Sequence, residues 1–235
     1  MRSSMRWRER TLAAMIALLA VADAALYGGV LTHGDARAIG GLPAGALRAD
    51  QRAEIDDSAS LPGRYVPPQG RKHTPGGYPL PARVPFCAPD AIADTCYASN
   101  PPTSGLHMPV ERVRLEDGHV LQVPPDPGVY GFVIPREAIP HIQEHAGVYV
   151  GYRCASGCAA VDAATQVVRQ ELALGARVVM SPDPDLAPDT IAAASWTRLD
   201  VMSLADYSDD RLRAFIKAHS CRFDPERFCP ERELN

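Results

Sequence analysis

Proline decides where this chain can form regular secondary structure. Seven of its 22 prolines, together with four glycines, lie between Leu61 and Pro85. Proline removes a backbone donor and fixes φ, while glycine adds backbone freedom, so such a stretch is not expected to form a regular element. The sequence therefore predicts a semi-rigid tether over residues 33–85, with room only for a short helix over Leu47–Asp56. A folded domain is predicted over residues 86–235.

The N-terminal segment, residues 1–32, has the pattern of an export signal. Four arginines precede an apolar run from Leu12 to Leu31. A basic flank before an apolar run directs the rest of the chain out of the cytoplasm. Small residues around positions 20–24 suit a cleavage site, but the run is also long enough to span a membrane. The domain is therefore expected to be periplasmic or extracellular, either free after cleavage or anchored to the inner membrane.

Export makes the six cysteines interpretable. Outside the cytoplasm an even number of cysteines usually forms disulfides, and the short spacings predict three local ones: Cys87 with Cys96, Cys154 with Cys158, and Cys221 with Cys229. The second pair follows a predicted strand and precedes a predicted helix, which is also the context of thiol redox and copper-delivery motifs. Both interpretations of that pair stay open.

The pattern after residue 86 predicts an α+β domain, in which a small mixed sheet is packed by two to three helices. An Asp-Gly turn between Val110–Leu115 and His119–Val123 favours a hairpin. The later apolar periods alternate between strand and helix. Strands are predicted at Val148–Arg153, Arg177–Met180 and around Ser195–Leu199, and helices at Val161–Leu174 and from the Ser208 cap to His219.

A short helix is predicted to carry two histidines. It begins at Pro135 or Pro140, because proline is tolerated in a first helical turn, and Gly147 is placed to end it. Residues four apart share a helix face, so His141 and His145 are expected to point the same way.

A third imidazole comes from a proline-fixed turn that contains His107, with a methionine directly after it. Three imidazoles with a carboxylate or a thioether can hold a transition metal, and these ligand types suit copper or zinc. The sequence thus predicts a metal site formed by His107, His141, His145, Glu144 and Met108. Met108 would favour copper if its sulfur faced the metal, but ordinary core packing is the slightly better interpretation.

Glu144 has three possible roles: a ligand, a partner that orients an imidazole, or a base. The order H-x-x-E-H also matches a peptidase motif in which the glutamate activates water, and its third ligand would have to be Glu171. Three hypotheses follow: a copper- or zinc-binding module, a metal-assisted hydrolase with Glu144 as base, and a redox protein that uses Cys154 and Cys158.

Two other observations limit the function. The formal net charge is −4 and no basic stripe follows the N-terminus, which argues against nucleic-acid binding. The sequence identifies no protein partner, only a metal ion and a membrane reached through the N-terminal segment. The remaining histidines, His33, His73, His119 and His219, carry no functional prediction because they lie in the tether, the hairpin or the end of the last helix.

Several motifs occur in a characteristic order: PPTSGLH at residues 101–107, GVY at 128–130, IPRE at 134–137, HIQEH at 141–145 and SPDPDL at 181–186, followed by Trp196. Together they resemble a bacterial family catalogued as domain of unknown function three-one-zero-five, over roughly Tyr97 to His219. The resemblance implies that His107, His141, Glu144 and His145 form the family's polar site, and it implies no established activity. The chain departs from the family in having Ala146 before Gly147 and cysteines at 154 and 158.

Overall fold

The computed structural model describes residues 48–77, 83–88, 95–155 and 158–229. The predicted export signal or anchor, residues 1–32, lies outside these residues. Within the described part of the chain, no helix combines the length and the apolar character needed to cross a bilayer.

A six-stranded mixed sheet forms the centre of the fold, with a separate two-stranded hairpin beside it. The strands are β1 Arg64–Tyr65, β2 Glu111–Arg114, β3 Val120–Val123, β4 Gly128–Val129, β5 Val148–Arg153, β6 Val178–Pro182, β7 Thr190–Ser195 and β8 Arg198–Ser203. The order in the large sheet is β1-β8-β7-β5-β6-β4, and β2 pairs with β3. Strand β6 runs parallel to both β4 and β5, whereas the other pairs are antiparallel.

Four α-helices complete the described part: α1 Ala49–Ile55, α2 Ile139–Glu144, α3 Ala159–Ala173 and α4 Asp209–His219. Short 3-10 turns precede α2, at Arg136–Ala138, and α4, at Leu204–Asp206. Helix α4 begins as predicted, because the Ser208 hydroxyl accepts a hydrogen bond from the backbone N–H of Arg211. The predicted α+β class with a mixed sheet is confirmed.

The sheet is covered on both faces. Val148 and Val150 of β5 join α3 and α4 in one apolar cluster. Tyr149, between them, points the other way and packs with α2 and the β2–β3 hairpin. This alternation is what a strand buried on both faces requires, and it divides the domain into an α3–α4 layer, the sheet, and a layer that contains α2.

The predicted hairpin is confirmed, but the single strand predicted around Ser195–Leu199 is interrupted by a turn. Ser195 ends β7 and Arg198 begins β8, and between them Thr197 adopts a φ of 61°. Threonine rarely adopts this conformation, so the sequence carries no turn signal. The whole turn is also buried, which gives it the apolar pattern of a strand.

Part of the predicted tether contributes to the fold. Helix α1 lies inside the predicted range, whereas the expectation that residues 61–85 form no regular element is wrong at β1, which pairs with β8. The buried Arg198 holds this segment by donating hydrogen bonds to the carbonyl oxygens of Asp56, Ser58 and Gly63. The domain boundary at residue 86 itself remains a prediction.

All three predicted disulfides are present: Cys87–Cys96, Cys154–Cys158 and Cys221–Cys229. Among the described residues no cysteine is free. Three disulfides in one small domain indicate an oxidising, exported environment.

Candidate metal centre

Three histidines and a glutamate converge beside the sheet. His73, His107, His141 and Glu144 each offer one ligand atom, and these four atoms all lie within 4.8 Å of one another. The residues come from three segments that are far apart in sequence: the loop before residue 77, the proline-fixed turn, and α2. All except His73 are buried.

The proline-fixed turn delivers His107 to this group. Gly105 has a φ of +107°, the left-handed conformation that glycine permits, and its carbonyl oxygen lies 2.9 Å from Nδ1 of His107. A carbonyl oxygen can only accept, so Nδ1 carries a proton and Nε2 is the nitrogen that remains for a metal. This is the ring orientation in which a histidine binds a metal through Nε2.

Helix α2 holds His141 in the same way. Its Nδ1 donates to the carbonyl oxygen of Met108 at 2.7 Å, while the N–H of Met108 donates to Glu137 at 2.8 Å. The backbone of Met108 thus ties the turn to the start of α2. The imidazole rings of His107 and His141 come to lie 5.0 Å apart between centroids.

His73 is the member that sequence reasoning missed. Its segment pairs with the turn as an isolated parallel bridge, in which Thr74 N–H donates to His107 and His107 N–H donates to Lys72. The His73 ring lies 4.7 Å from that of His107 and 5.7 Å from that of His141. The only available signal was a histidine within a rigid, proline-rich segment, and such a segment shows nothing of its long-range partner.

The protonation states of His141 and Glu144 suit the binding of a cation. Burial lowers the pKa of His141 to about 4, so this ring is neutral and can act as a ligand near neutral pH. Burial by itself would raise the pKa of Glu144, but His107 and Arg71 outweigh it and the pKa lies below its usual value. The carboxylate is therefore ionised.

One buried nitrogen in the group lacks a hydrogen bond. Nε2 of His107 is 3.0 Å from Oε2 of Glu144, within ion-pairing distance, but the contact does not have hydrogen-bond geometry. His107 itself is fully buried. Glu144 is therefore the only partner of this nitrogen among the described residues, and a cation bound between the two atoms would contact both.

His145 lies outside the four-residue group. Helix α2 ends at Glu144, and the ring of His145 turns towards the C-terminal loop, where Nε2 is 3.2 Å from Oε2 of Glu226. Its ring stacks on Phe228 at 4.1 Å and meets the ring of His141 edge-on at 4.6 Å. The structure therefore brings together three of the five predicted site residues, His107, His141 and Glu144.

Helix α2 ends in a tight turn after His145. Ala146 takes the left-handed conformation, with φ 64°, and Gly147 donates to the carbonyl of Ile142 at 2.9 Å while Ala146 donates to that of Gln143. This is a Schellman ending in which alanine stands where glycine is usual. His145 N–H still donates to the carbonyl of His141 at 3.1 Å, so the two histidines share a helix face as expected, and the contacts with Glu226 and Phe228 direct the His145 ring away from the four-residue group.

The side chain of Met108 also lies outside the four-residue group. It is fully buried and packs with Ile139 and Ile142 in the apolar cluster beneath the hairpin. Core packing, the slightly favoured interpretation, describes its side chain. Its contribution to the centre comes from its backbone.

Apart from Glu144, the residues invoked for hydrolysis and redox chemistry lie elsewhere. Glu171 is paired with Arg213 at 3.2 Å and Lys217 at 3.9 Å, in the contact between α3 and α4. Cys154 packs against the same α3–α4 layer, on the face of the sheet opposite α2. Neither residue is placed to act together with the histidines.

The sequence matches the family described as "Protein of unknown function (DUF3105)" over residues 91–232, which is more than half of the chain. The chain belongs to this family. The resemblance drawn from its motifs is thereby confirmed. Of the four converging residues, His107, His141 and Glu144 fall inside the DUF3105 match, whereas His73 precedes it. No curated protein and no solved structure matches the chain.

Proposed function

We propose that this DUF3105 protein is an exported metal-binding protein, held at the membrane by its N-terminal segment, that binds copper or zinc. The ligands are His73, His107, His141 and Glu144. The observation that carries the proposal is the convergence of their four ligand atoms within 4.8 Å. A tetrahedral ion with metal–ligand distances of about 2 Å has ligand atoms about 3.3 Å apart, so binding would draw the four atoms closer together than the 4.8 Å limit within which they lie.

The orientation of the rings supports binding over simple packing. Two of the imidazoles are fixed by Nδ1–H bonds to backbone carbonyls, the arrangement that metal-binding histidines commonly have. Nε2 of His107 is buried without a hydrogen bond. That nitrogen faces Oε2 of Glu144 at 3.0 Å, so one ion could contact both atoms.

The ligand types limit the metal. Three imidazoles and one carboxylate form a nitrogen and oxygen set that suits Zn²⁺ and Cu²⁺. Met108 no longer favours copper, because its side chain lies in the apolar cluster. The ligand types therefore do not distinguish zinc from copper, and a measurement of the bound metal is needed to do so.

Retention or delivery of the metal is better supported than catalysis. Glu144 belongs to the ligand group and its residue is only 8% exposed, so it completes four protein ligands instead of standing beside an open position. Sites closed by four protein ligands hold a metal, while catalytic zinc sites keep one position for water. The hydrolase hypothesis has less support, and so does the redox hypothesis.

Metal analysis of the natively exported protein tests the proposal. The full chain is expressed with its own export segment, purified without chelator or refolding, and its copper and zinc contents are measured by mass spectrometry. We expect about one metal per chain, and a loss of most of it in His107→Ala and in His141→Ala.

His119→Ala is the matched control, because this histidine sits on the exposed hairpin stacked on Phe132. Metal content that is equal in all four proteins would overturn the proposal. Cell fractionation tests the membrane attachment separately, since a protein released entirely into the soluble fraction would contradict the anchor but not the metal centre.

A further inference from the structure

An arginine stands at the exposed side of the candidate metal centre. Nε of Arg71 is 3.7 Å from Oε1 of Glu144, and its side chain is 40% exposed. Arg71 lies two residues before His73, so the same segment supplies a ligand and a positive charge. Its guanidinium makes no hydrogen bond to any residue in the described part of the chain, although it has five N–H donors.

Aromatic packing fixes Arg71 without using those donors. Its guanidinium carbon lies 5.9 Å from the centre of the Phe223 ring, and Phe223 stacks on the buried Trp196 at 4.5 Å. Trp196 is held in turn by a hydrogen bond from its Nε1 to Glu54 at 3.2 Å. The guanidinium is thus supported on one side while its donors remain available to a ligand.

The local charges favour an anion once a metal is bound. Arg71 interacts electrostatically with Glu144 and with Glu54, and Asp50 also acts on Glu54. Within the four-residue group itself, a divalent metal would exceed the single negative charge of Glu144 by one, and Arg71 adds a positive charge beside it. A small anion on the exposed side would remove that imbalance.

We propose that the centre binds its metal together with a small carboxylate or oxyanion, which Arg71 holds through paired N–H donors and which adds to the four protein ligands as a fifth on the exposed side of the ion. The inference rests on the proposed metal binding and adds a ligand class to it. A planar guanidinium matches carboxylate and phosphate oxygens in this two-pronged way, which a lysine cannot reproduce. The exposed side near His73 and Arg71 is the route by which the anion arrives.

A different role for Arg71 makes the opposite prediction. If it only neutralised Glu144, an added anion would have no effect on the loaded protein, and removing the arginine would simply change metal affinity. Anion dependence, rather than metal affinity alone, is therefore the decisive measurement.

The test uses the exported, disulfide-intact full chain loaded with Co²⁺, whose visible absorption reports its coordination. Sodium acetate and sodium phosphate are titrated separately in a buffer free of other coordinating anions. We expect a saturable spectral change with at least one of them, and a midpoint at least about tenfold higher in Arg71→Gln, as the loss of a charged hydrogen bond predicts. The midpoint for Arg71→Lys should lie between those of the unaltered protein and Arg71→Gln. Comparing acetate with phosphate shows whether the guanidinium prefers carboxylate or phosphate oxygens.

Arg169→Gln serves as the control of equal charge change, because Arg169 is exposed on α3, on the other face of the sheet. It should titrate like the unaltered protein. The inference is overturned if neither anion changes the Co²⁺ spectrum, or if the midpoints of Arg71→Gln and the unaltered protein are equal. Neither result would contradict metal binding. Failure of the unaltered protein to bind Co²⁺, Zn²⁺ or Cu²⁺ at all overturns the proposed function instead. If Arg71→Gln does not fold, Arg71→Lys decides by the same criterion.

Discussion

His73 and His107 are joined through their backbones and meet through their side chains. The parallel bridge between their segments is closed by a 2.7 Å hydrogen bond from Thr74 to the His107 carbonyl, and their rings lie edge to face at 4.7 Å. A residue from the predicted tether is thereby fixed against the most buried histidine of the centre. This pairing makes the segment before residue 77 part of the proposed site.

We expect His73→Ala to weaken zinc binding at least about a hundredfold, since losing even a residue that only orients a ligand costs about 10–100-fold. The bridge uses backbone atoms, so the fold should survive the substitution. Isothermal titration of the metal-free protein with Zn²⁺ measures the effect, beside His119→Ala as a control. Equal affinities in the two variants would show that His73 is not a ligand.

His145→Ala should behave differently from the ligand variants. His145 faces Glu226 and Phe228 and touches the centre only through its ring contact with His141. We expect metal content near that of the unaltered protein and at most about a tenfold loss of affinity, the lower range for a residue that positions a ligand. A complete loss of metal in a folded His145→Ala protein would return this residue to the ligand set.

His219 should make the domain less stable in acid. Its ring is buried and its Nε2 donates to the carbonyl of Pro62 at 2.8 Å, and burial lowers its pKa to about 4. Between pH 6.5 and pH 4 the unfolded chain therefore binds a proton that the folded one does not. The free energy of unfolding should fall over this window as the pH decreases, by up to about 3 kcal/mol from this group.

Denaturant unfolding at pH 7 and pH 4.5 measures this dependence in the unaltered protein and in His219→Gln. Glutamine keeps a donor for Pro62 but does not titrate. The free energy of unfolding should differ less between pH 7 and pH 4.5 in the variant than in the unaltered protein. Other titrating groups, including His141, contribute equally to this difference in the two proteins. An unchanged difference would mean that His219 is not the group responsible.

Gly147→Ala should destabilise the protein through the end of α2. A Cβ at this position would lie 2.6 Å from the carbonyl oxygen of Ile142, inside the Schellman turn. We expect a loss of about 1–3 kcal/mol in the free energy of unfolding, the usual cost of forcing extra atoms into a packed site. Gly131→Ala is the matched control, because its Cβ would meet no atom within 4 Å and, like Gly147, it does not have a left-handed φ.

Gly131→Ala therefore measures the effect of the added methyl group without a clash, and the excess loss in Gly147→Ala measures the steric effect. Chemical denaturation of both variants separates the two. Equal losses would show that the Ile142 contact moves aside without cost.

Local sequence patterns predicted those structural features whose determining residues lie within one short stretch of the chain. The hairpin follows from its Asp-Gly turn, the three disulfides from short cysteine spacings in an exported chain, and α4 from its serine cap. The turn between β7 and β8 escaped prediction, because Thr197 adopts its left-handed conformation under tertiary constraint and not by preference.

The candidate site also contains residues that local sequence predicts and residues that only tertiary contacts place. The sequence by itself determined that His107, His141 and Glu144 are carried by a rigid turn and a short helix, because proline and glycine fix both locally. Only the tertiary structure decided that His73 joins them and that His145 turns towards Glu226. The first depends on a bridge between segments 34 residues apart, and the second on a contact with a loop residue 81 positions further along the chain. Neither long-range contact leaves a periodic pattern in the sequence around the histidine that it positions.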